Sequence, residues 1–106
     1  MRTYRLALIG FGNVGQGLAT ILRDYGPTIA AQHDADYRIV AVNTARKGRV
    51  YNPDGLDPDQ LLQNCGVNQR LDNIPAPYTG WSVEQVIRES NADVVIEMTS
   101  SDLLTG

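Results

Sequence analysis

Apolar positions along the chain group into stretches of two periods. Tyr4 to Ile9, carrying Leu6, Leu8 and Ile9, is short and mostly apolar, which suits a strand buried on both faces as parallel strands are. Tyr37 to Asn43, YRIVAVN, is β-branched and apolar and reads as a second such strand. Asp93 to Met98, within ADVVIEMT, reads as a third buried strand. Between the first two, Val14, Leu18, Ile21, Leu22 and Tyr25 recur at helical spacing, while Gln16, Arg23 and Asp24 lie on the opposite side. That pattern predicts a helix with one stripe against a sheet. Gly26 and Pro27 are expected to end it, with Pro27 opening a short second helix over Thr28 to His33, where its missing amide proton costs nothing.

After the second strand, ARKG is expected to loop, and Asn52, Pro53, Asp54 and Gly55 carry turn chemistry. Asp57 is placed to cap a short helix whose first residue is Pro58. NIPAPYTG is expected to be irregular, because each proline removes an amide donor and restricts the residue before it. Ser82 then opens another helix: its hydroxyl is spaced to bond the amide of Gln85, with the Gln85 side chain reaching back, and Trp81 is spaced to pack on Val86. Strands separated by helices imply right-handed crossovers and a parallel sheet. The prediction is one α/β domain, the first βαβ half of a doubly wound parallel sheet. Such a piece leaves one sheet edge open, so the chain reads as cut short and is expected to self-associate as a homo-oligomer.

The glycines after the first strand bring in chemistry. Gly10, Gly12 and Gly15 form G-x-G-x-x-G, a pattern that alone often marks only a turn. Here it follows a buried strand and opens an amphipathic helix, the setting in which it becomes a dinucleotide fingerprint. Gly10 permits a tight turn, Gly12 lets backbone approach a pyrophosphate, and Gly15 lets helix and strand approach each other. The helix N-terminus adds unpaired amides and a partial positive charge. At the end of the second strand a carboxylate normally binds the ribose hydroxyls of NAD, and none is present. Asn43 and Thr44, both able to bond a ribose hydroxyl, are followed by Arg46 and Lys47, where a ribose 2′-phosphate would lie. The cations favour NADP over NAD. Glu97, Met98, Thr99 and Ser100 end the third strand, which should face the nicotinamide half. Glu97 reads as a hydrogen-bonding anchor rather than a catalytic base.

Composition removes other classes. A formal net charge of −3 without a basic block argues against nucleic acid. No apolar stretch approaches the roughly 18 residues of a membrane span. A single cysteine, Cys65, builds neither a disulfide framework nor a thiolate metal site, and with no signal-like N-terminus a cytoplasmic setting is expected. Cys65 has no identifiable partner base, and His33 beside Asp34 reads as a solvated residue. Asp54, Asp57 and Asp59 lack the spacing of a calcium loop and are accounted for as caps, so no metal is expected.

LALIGFGNVGQGLATIL, VAVNTARKGRVYNPDGLDPDQLL and DVVIEMTSSDLLTG together resemble the N-terminal, Rossmann-like nucleotide-binding domain of homoserine dehydrogenase, over essentially the whole chain. GFGNVG and YNPDGLD also resemble the cofactor domain of glutamate dehydrogenase, but there the substrate domain comes first, and EMTSS is closer to the homoserine dehydrogenase strand end. The resemblance implies reduction of aspartate semialdehyde to homoserine with NADPH or NADH, on the route to threonine and methionine. It implies that Gly10, Phe11, Gly12, Asn13, Val14 and Gly15 bind the pyrophosphate, Arg46 and Lys47 approach the adenine ribose, and Thr99 and Ser100 approach the nicotinamide ribose. In many relatives an acidic residue lies near Thr44, and its absence here puts strict NAD use in doubt. The family's catalytic lysine, in a Thr-Ala-Asn-Lys motif, and its catalytic and substrate-binding carboxylates match no residue of this chain. The polypeptide is therefore expected to bind cofactor without turnover. A stand-alone dinucleotide-binding module is the other reading.

Overall fold

The computed structural model describes residues 2–44, 47–64 and 70–97. Chain order is β1 (Arg2–Ile9), α1 (Asn13–His33), β2 (Ala35–Asn43), β3 (Arg49–Tyr51), α2 (Pro58–Gln63), a 3-10 turn (Leu71–Asn73), β4 (Tyr78–Thr79), α3 (Val83–Glu89) and β5 (Val94–Glu97). The strands form one sheet in the order β4-β3-β2-β1-β5. β1 pairs in parallel with β2 and β5, as the alternation of strands and helices requires. β3 and β4 are antiparallel additions, so the sheet is mixed where the sequence predicted a purely parallel one. Gly48 at φ +105° lets the chain double back after β2 so that Val50 and Tyr51 pair with it. Tyr78–Thr79 then pairs with β3 inside the stretch expected to be irregular.

Cover on both faces follows from β1. Leu6 and Leu8 join one core with Ile39, Val42, Ala19 and Leu61, under α1 and α2. Ala7, pointing the other way, joins Val40, Ala41, Tyr51 and Val86 under α3. Leu8, Ile39, Leu61 and Val42 are completely enclosed, and each such side chain contributes roughly 1.5–3 kcal/mol. The alternation of β2 is interrupted by a bulge: Leu6 pairs with Ile39 but Ala7 with Ala41, leaving Val40 as an extra residue. One inserted residue turns the rest of the strand over. Val42 consequently faces α1, and Asn43 faces the α3 side, where its amide meets Trp81.

Two local expectations are met. Asp57 caps α2 by accepting from the Asp59 amide, with Pro58 in the first turn. Ser82 caps α3 by accepting from the Gln85 amide, and Trp81 packs against the cluster that holds Val86. Two others are corrected. α1 does not stop at Gly26 but runs through Pro27 to His33 and ends where Asp34 adopts a left-handed conformation at φ +50°. The cause is its stripe: Leu18, Leu22, Gly26, Ile29 and Ala30 stay on the sheet side at helical spacing, so continued packing outweighs the one hydrogen bond that Pro27 forfeits. β5 is not buried. Val94 and Val95 are 44% and 40% exposed, because this strand has a neighbour on one side only and the α3 face gives it little cover.

Among the described residues no helix is long and apolar enough to cross a membrane, and no group of His, Cys, Asp or Glu is arranged to hold a metal ion.

Candidate dinucleotide-binding site

The register brings the C-terminal ends of the three parallel strands level. Ile9 pairs with Asn43 on one side and with Glu97 on the other, so the glycine turn leaves the sheet midway between them. Gly10 is buried at φ +101°, a conformation that side chains rarely adopt, and its N–H donates to the Asn43 carbonyl at 2.7 Å. Phe11 turns inward and packs in the α1 core, while its carbonyl accepts from the Gln16 side chain at 3.1 Å. The Gln16 side chain, from the first turn of α1, thus fixes the backbone of the glycine turn.

Gly12 is the N-cap residue of α1, and no side chain caps the helix. The first turn holds no acidic residue. Asn13 and Val14 stand exposed there, and Gly15 is buried with Ala19 one turn later, on the stripe that meets the sheet. A 21-residue helix whose first amides lack a side-chain acceptor offers an anion both donors and the positive end of its dipole. With no carboxylate in that turn, the residues fit a diphosphate.

At the C-terminal end of β2 the side chains are already engaged. Asn43 is buried and donates through Nδ2 to the Trp81 carbonyl at 2.8 Å. The Thr44 hydroxyl accepts from the Lys47 amide and donates to the Gly48 carbonyl, each at 2.8 Å, so it folds the β2–β3 loop. The Lys47 carbonyl accepts from the Leu71 amide at 2.7 Å, which ties that loop to the 3-10 turn. Arg70 binds Asp72 through two bonds of 3.0 Å beside it, and these hold the Asp72 carboxyl below its ordinary range. Neither Arg70 nor Asp72 is indicated by any spacing in the sequence, because only the folded loop brings them near β2. Glu97 is exposed at the end of β5. Arg46, Cys65, Met98, Thr99 and Ser100 lie outside the described residues.

The comparisons with known proteins bear on this arrangement. The chain is 32% identical to the homoserine dehydrogenase of Methanocaldococcus jannaschii over 101 residues, covering 95% of this chain and 30% of that enzyme. The chain is a homologue of homoserine dehydrogenase. Homology extends to the NAD(+)-dependent homoserine dehydrogenase of Pseudomonas canavaninivorans, 28% identical across 100% of the chain and 30% of the relative. The catabolic NAD-specific glutamate dehydrogenase RocG of Bacillus subtilis is 27% identical over 99% of the chain and 22% of its own length. No family model matches. Among solved structures, a hyperthermophilic archaeal homoserine dehydrogenase in complex with NADPH superposes with a TM-score of 0.72 over 92% of this chain and 28% of that one, at 17% identity, which establishes the open Rossmann-like α/β fold. The chain thus spans about 30% of the length of the homoserine dehydrogenases it matches.

Proposed function

We propose that this chain is the cofactor-binding part of an NAD(P)-dependent homoserine dehydrogenase. The observation that carries the reading is the positive-φ turn at Gly10, bonded to the end of β2 and delivering the chain into the uncapped N-terminus of α1. Homology to homoserine dehydrogenases supports the choice of enzyme, and the NADPH in the solved relatives together with the NAD(+)-dependent relative supports a nicotinamide dinucleotide.

In this reading Gly10, Phe11, Gly12, Asn13, Val14 and Gly15 surround the pyrophosphate, which receives backbone amides and the helix dipole. Asn43, Thr44, Arg46 and Lys47 border the adenine ribose, and Thr99 and Ser100 border the nicotinamide ribose. NADP is preferred and NAD is still accepted, because the end of β2 carries no carboxylate. The bound dinucleotide supplies the hydride that interconverts aspartate 4-semialdehyde and homoserine, serving threonine and methionine biosynthesis in the cytoplasm. The work of these residues is to hold and orient it. No residue of this chain is assigned a proton-transfer role, so the chain alone binds cofactor and does not turn over.

The cofactor domain of a glutamate dehydrogenase-like enzyme is the second reading, favoured by the similarity to RocG. Titration calorimetry with NADPH and NADH, followed by an assay of homoserine oxidation on the same sample, tests the first. Binding without turnover is the expected result, and binding of neither dinucleotide would overturn it.

A further inference from the structure

We propose that the groove between the C-terminal half of α1, the first half of β2 and the segment from Asp54 to Pro58 binds a small primary amine with an apolar body, at a site separate from the dinucleotide cradle. The two lie at opposite ends of β2. The cradle meets the sheet at Ile9 and Asn43, the C-terminal strand ends, whereas the groove is lined by Asp36, Tyr37, Arg38 and Ile39. The proposal is therefore independent of the nucleotide reading.

The groove exists because β2 outruns its neighbour. β3 pairs with β2 only from Ala41 to Asn43, so among the described residues Ala35 to Ile39 have a strand partner, β1, on one side alone. The chain beyond β3 closes the far wall without completing the sheet: the Asn52 amide donates to the Val40 carbonyl at 2.8 Å and the Leu56 amide to the Ile39 carbonyl at 2.7 Å. Backbone groups alternate sides along a strand, so the Tyr37 carbonyl, two residues before that of Ile39, points the same way, toward the opening. Leu22, Gly26, Pro27 and Ala30 of α1 form the other wall. About 440 Å³ is left between them, the scale of a small-molecule site.

The lining divides by chemistry. Ile39 and Leu56 are buried beneath it, and the Tyr37 ring, stacked on Tyr4 with centroids 5.3 Å apart, gives it an aromatic side. Three carboxylates, Asp36, Asp54 and Asp57, line it against one cation, Arg38, a net charge of −2. Arg38 is committed to the Asp36 carboxylate at 2.6 Å and to the Asp54 carbonyl at 3.3 Å, and Asp57 gives Oδ1 to the Asp59 amide. The Asp54 carboxylate accepts no hydrogen bond and joins no ion pair among the described residues. An apolar floor beside an uncommitted carboxylate and an outward carbonyl complements an ammonium, which brings three donors and no acceptor. An anionic ligand would meet like charge instead.

An amide-resolved NMR titration of the chain with phenethylamine, and with its neutral and anionic counterparts phenethyl alcohol and phenylacetate, tests the assignment. Saturable shifts are expected at the amides of Gly26, Tyr37 and Gly55. The amine should bind about threefold or more tighter than the alcohol, the scale of an exposed ion pair, and the carboxylate weakest. Asp54→Asn, a mild change at an exposed turn position, should bring the amine down to the alcohol and leave the alcohol unchanged, while Asp54→Glu keeps a preference for the amine. Absence of saturable shifts, equal affinity for the three probes, or a preference that survives Asp54→Asn would overturn the proposal. Displacement of the amine by NADPH would place it in the dinucleotide cradle and overturn the proposal while supporting the nucleotide reading.

Discussion

The amide of Gly10 donates to the carbonyl of Asn43 across 2.7 Å, one step beyond the last ladder pair of β1 and β2. The bond bridges strand and turn, so the position of the glycine loop is set by the sheet rather than by the loop's own residues. Gly10 reaches the acceptor at φ +101°, whereas Gly12, at φ −82°, occupies ordinary extended backbone. The two glycines of one motif are consequently needed for different reasons.

Gly10→Ala should therefore cost about 1–3 kcal/mol of stability, the strain of a side chain in a sparsely populated conformation. Gly12→Ser should keep the stability, since serine is a favoured N-cap, and should weaken dinucleotide binding by placing a Cβ at the helix mouth. Thermal unfolding and NADPH titration of both variants would show the contrast. Equal loss of melting temperature in the two would contradict it.

Asn43→Asp places at the end of β2 the acid that NAD enzymes use there, yet the structure predicts a less stable protein. The buried Nδ2 that donates to the Trp81 carbonyl is lost, and an ionised carboxylate would face that carbonyl instead. The expected cost is about 1–3 kcal/mol at neutral pH. Trp81 is the only tryptophan, so urea unfolding followed by its fluorescence reads the effect directly. An unchanged midpoint would refute it.

Much of the fold is legible in the order of residues. The three parallel strands, the caps at Asp57 and Ser82 and the glycine turn rest on contacts a few residues apart or on periodicity, and these the sequence displays. What escapes is set by distant partners. The hairpin at Val50–Tyr51 is too short to show a period, and the Val40 bulge breaks the alternation of β2 without a marker such as glycine. The exposure of Val94 and Val95 depends on strand order, not on their own apolar character. At the site, Gly10 and Gly12 are visible as a motif, whereas Arg70 and Asp72 become neighbours of Gly48 only once the 3-10 turn docks.

Pro27→Ala should stabilise the chain. The position lies inside α1 and is exposed, so alanine restores a helix amide and removes the ring without opening a cavity. A gain of about 1–3 kcal/mol is expected, less the entropy that proline removes from the unfolded chain. Chemical denaturation of the two proteins measures it, and a lower midpoint for the variant would count against the packing account of α1.

The Asp72 carboxyl is held below its ordinary value of 3.8 first by its hydrogen bonds from Arg70, with the charge of Arg70 adding to them. A depressed folded-state value means that the ionised form contributes stability above pH about 4, which disappears as pH falls through the depressed value. The melting-temperature difference between the native protein and Asp72→Asn should then be steady near neutrality and shrink as the pH falls below the ordinary carboxylate value of 3.8 and through the depressed one. Asp24, lowered by Arg23 in the same way, will remain as a shared acid slope in both proteins. Parallel curves throughout would show that the Arg70 pair has no pH-linked role.

The attachment of β5 has a kinetic consequence. Its first contact is reciprocal, with the Arg5 amide on Asp93 Oδ2 at 2.8 Å and the Asp93 amide on the Arg5 carbonyl at 2.7 Å, and it joins residues 88 apart in sequence. β1 finds β2 across one helix, but it finds β5 only after nearly the whole chain has been gathered, and closing so long a loop is entropically the least favourable pairing in the sheet. In the proposed reading the half of the sheet toward the nicotinamide end is thus expected to assemble last and to let its amides exchange first, after the glycine turn between β1 and α1 has formed.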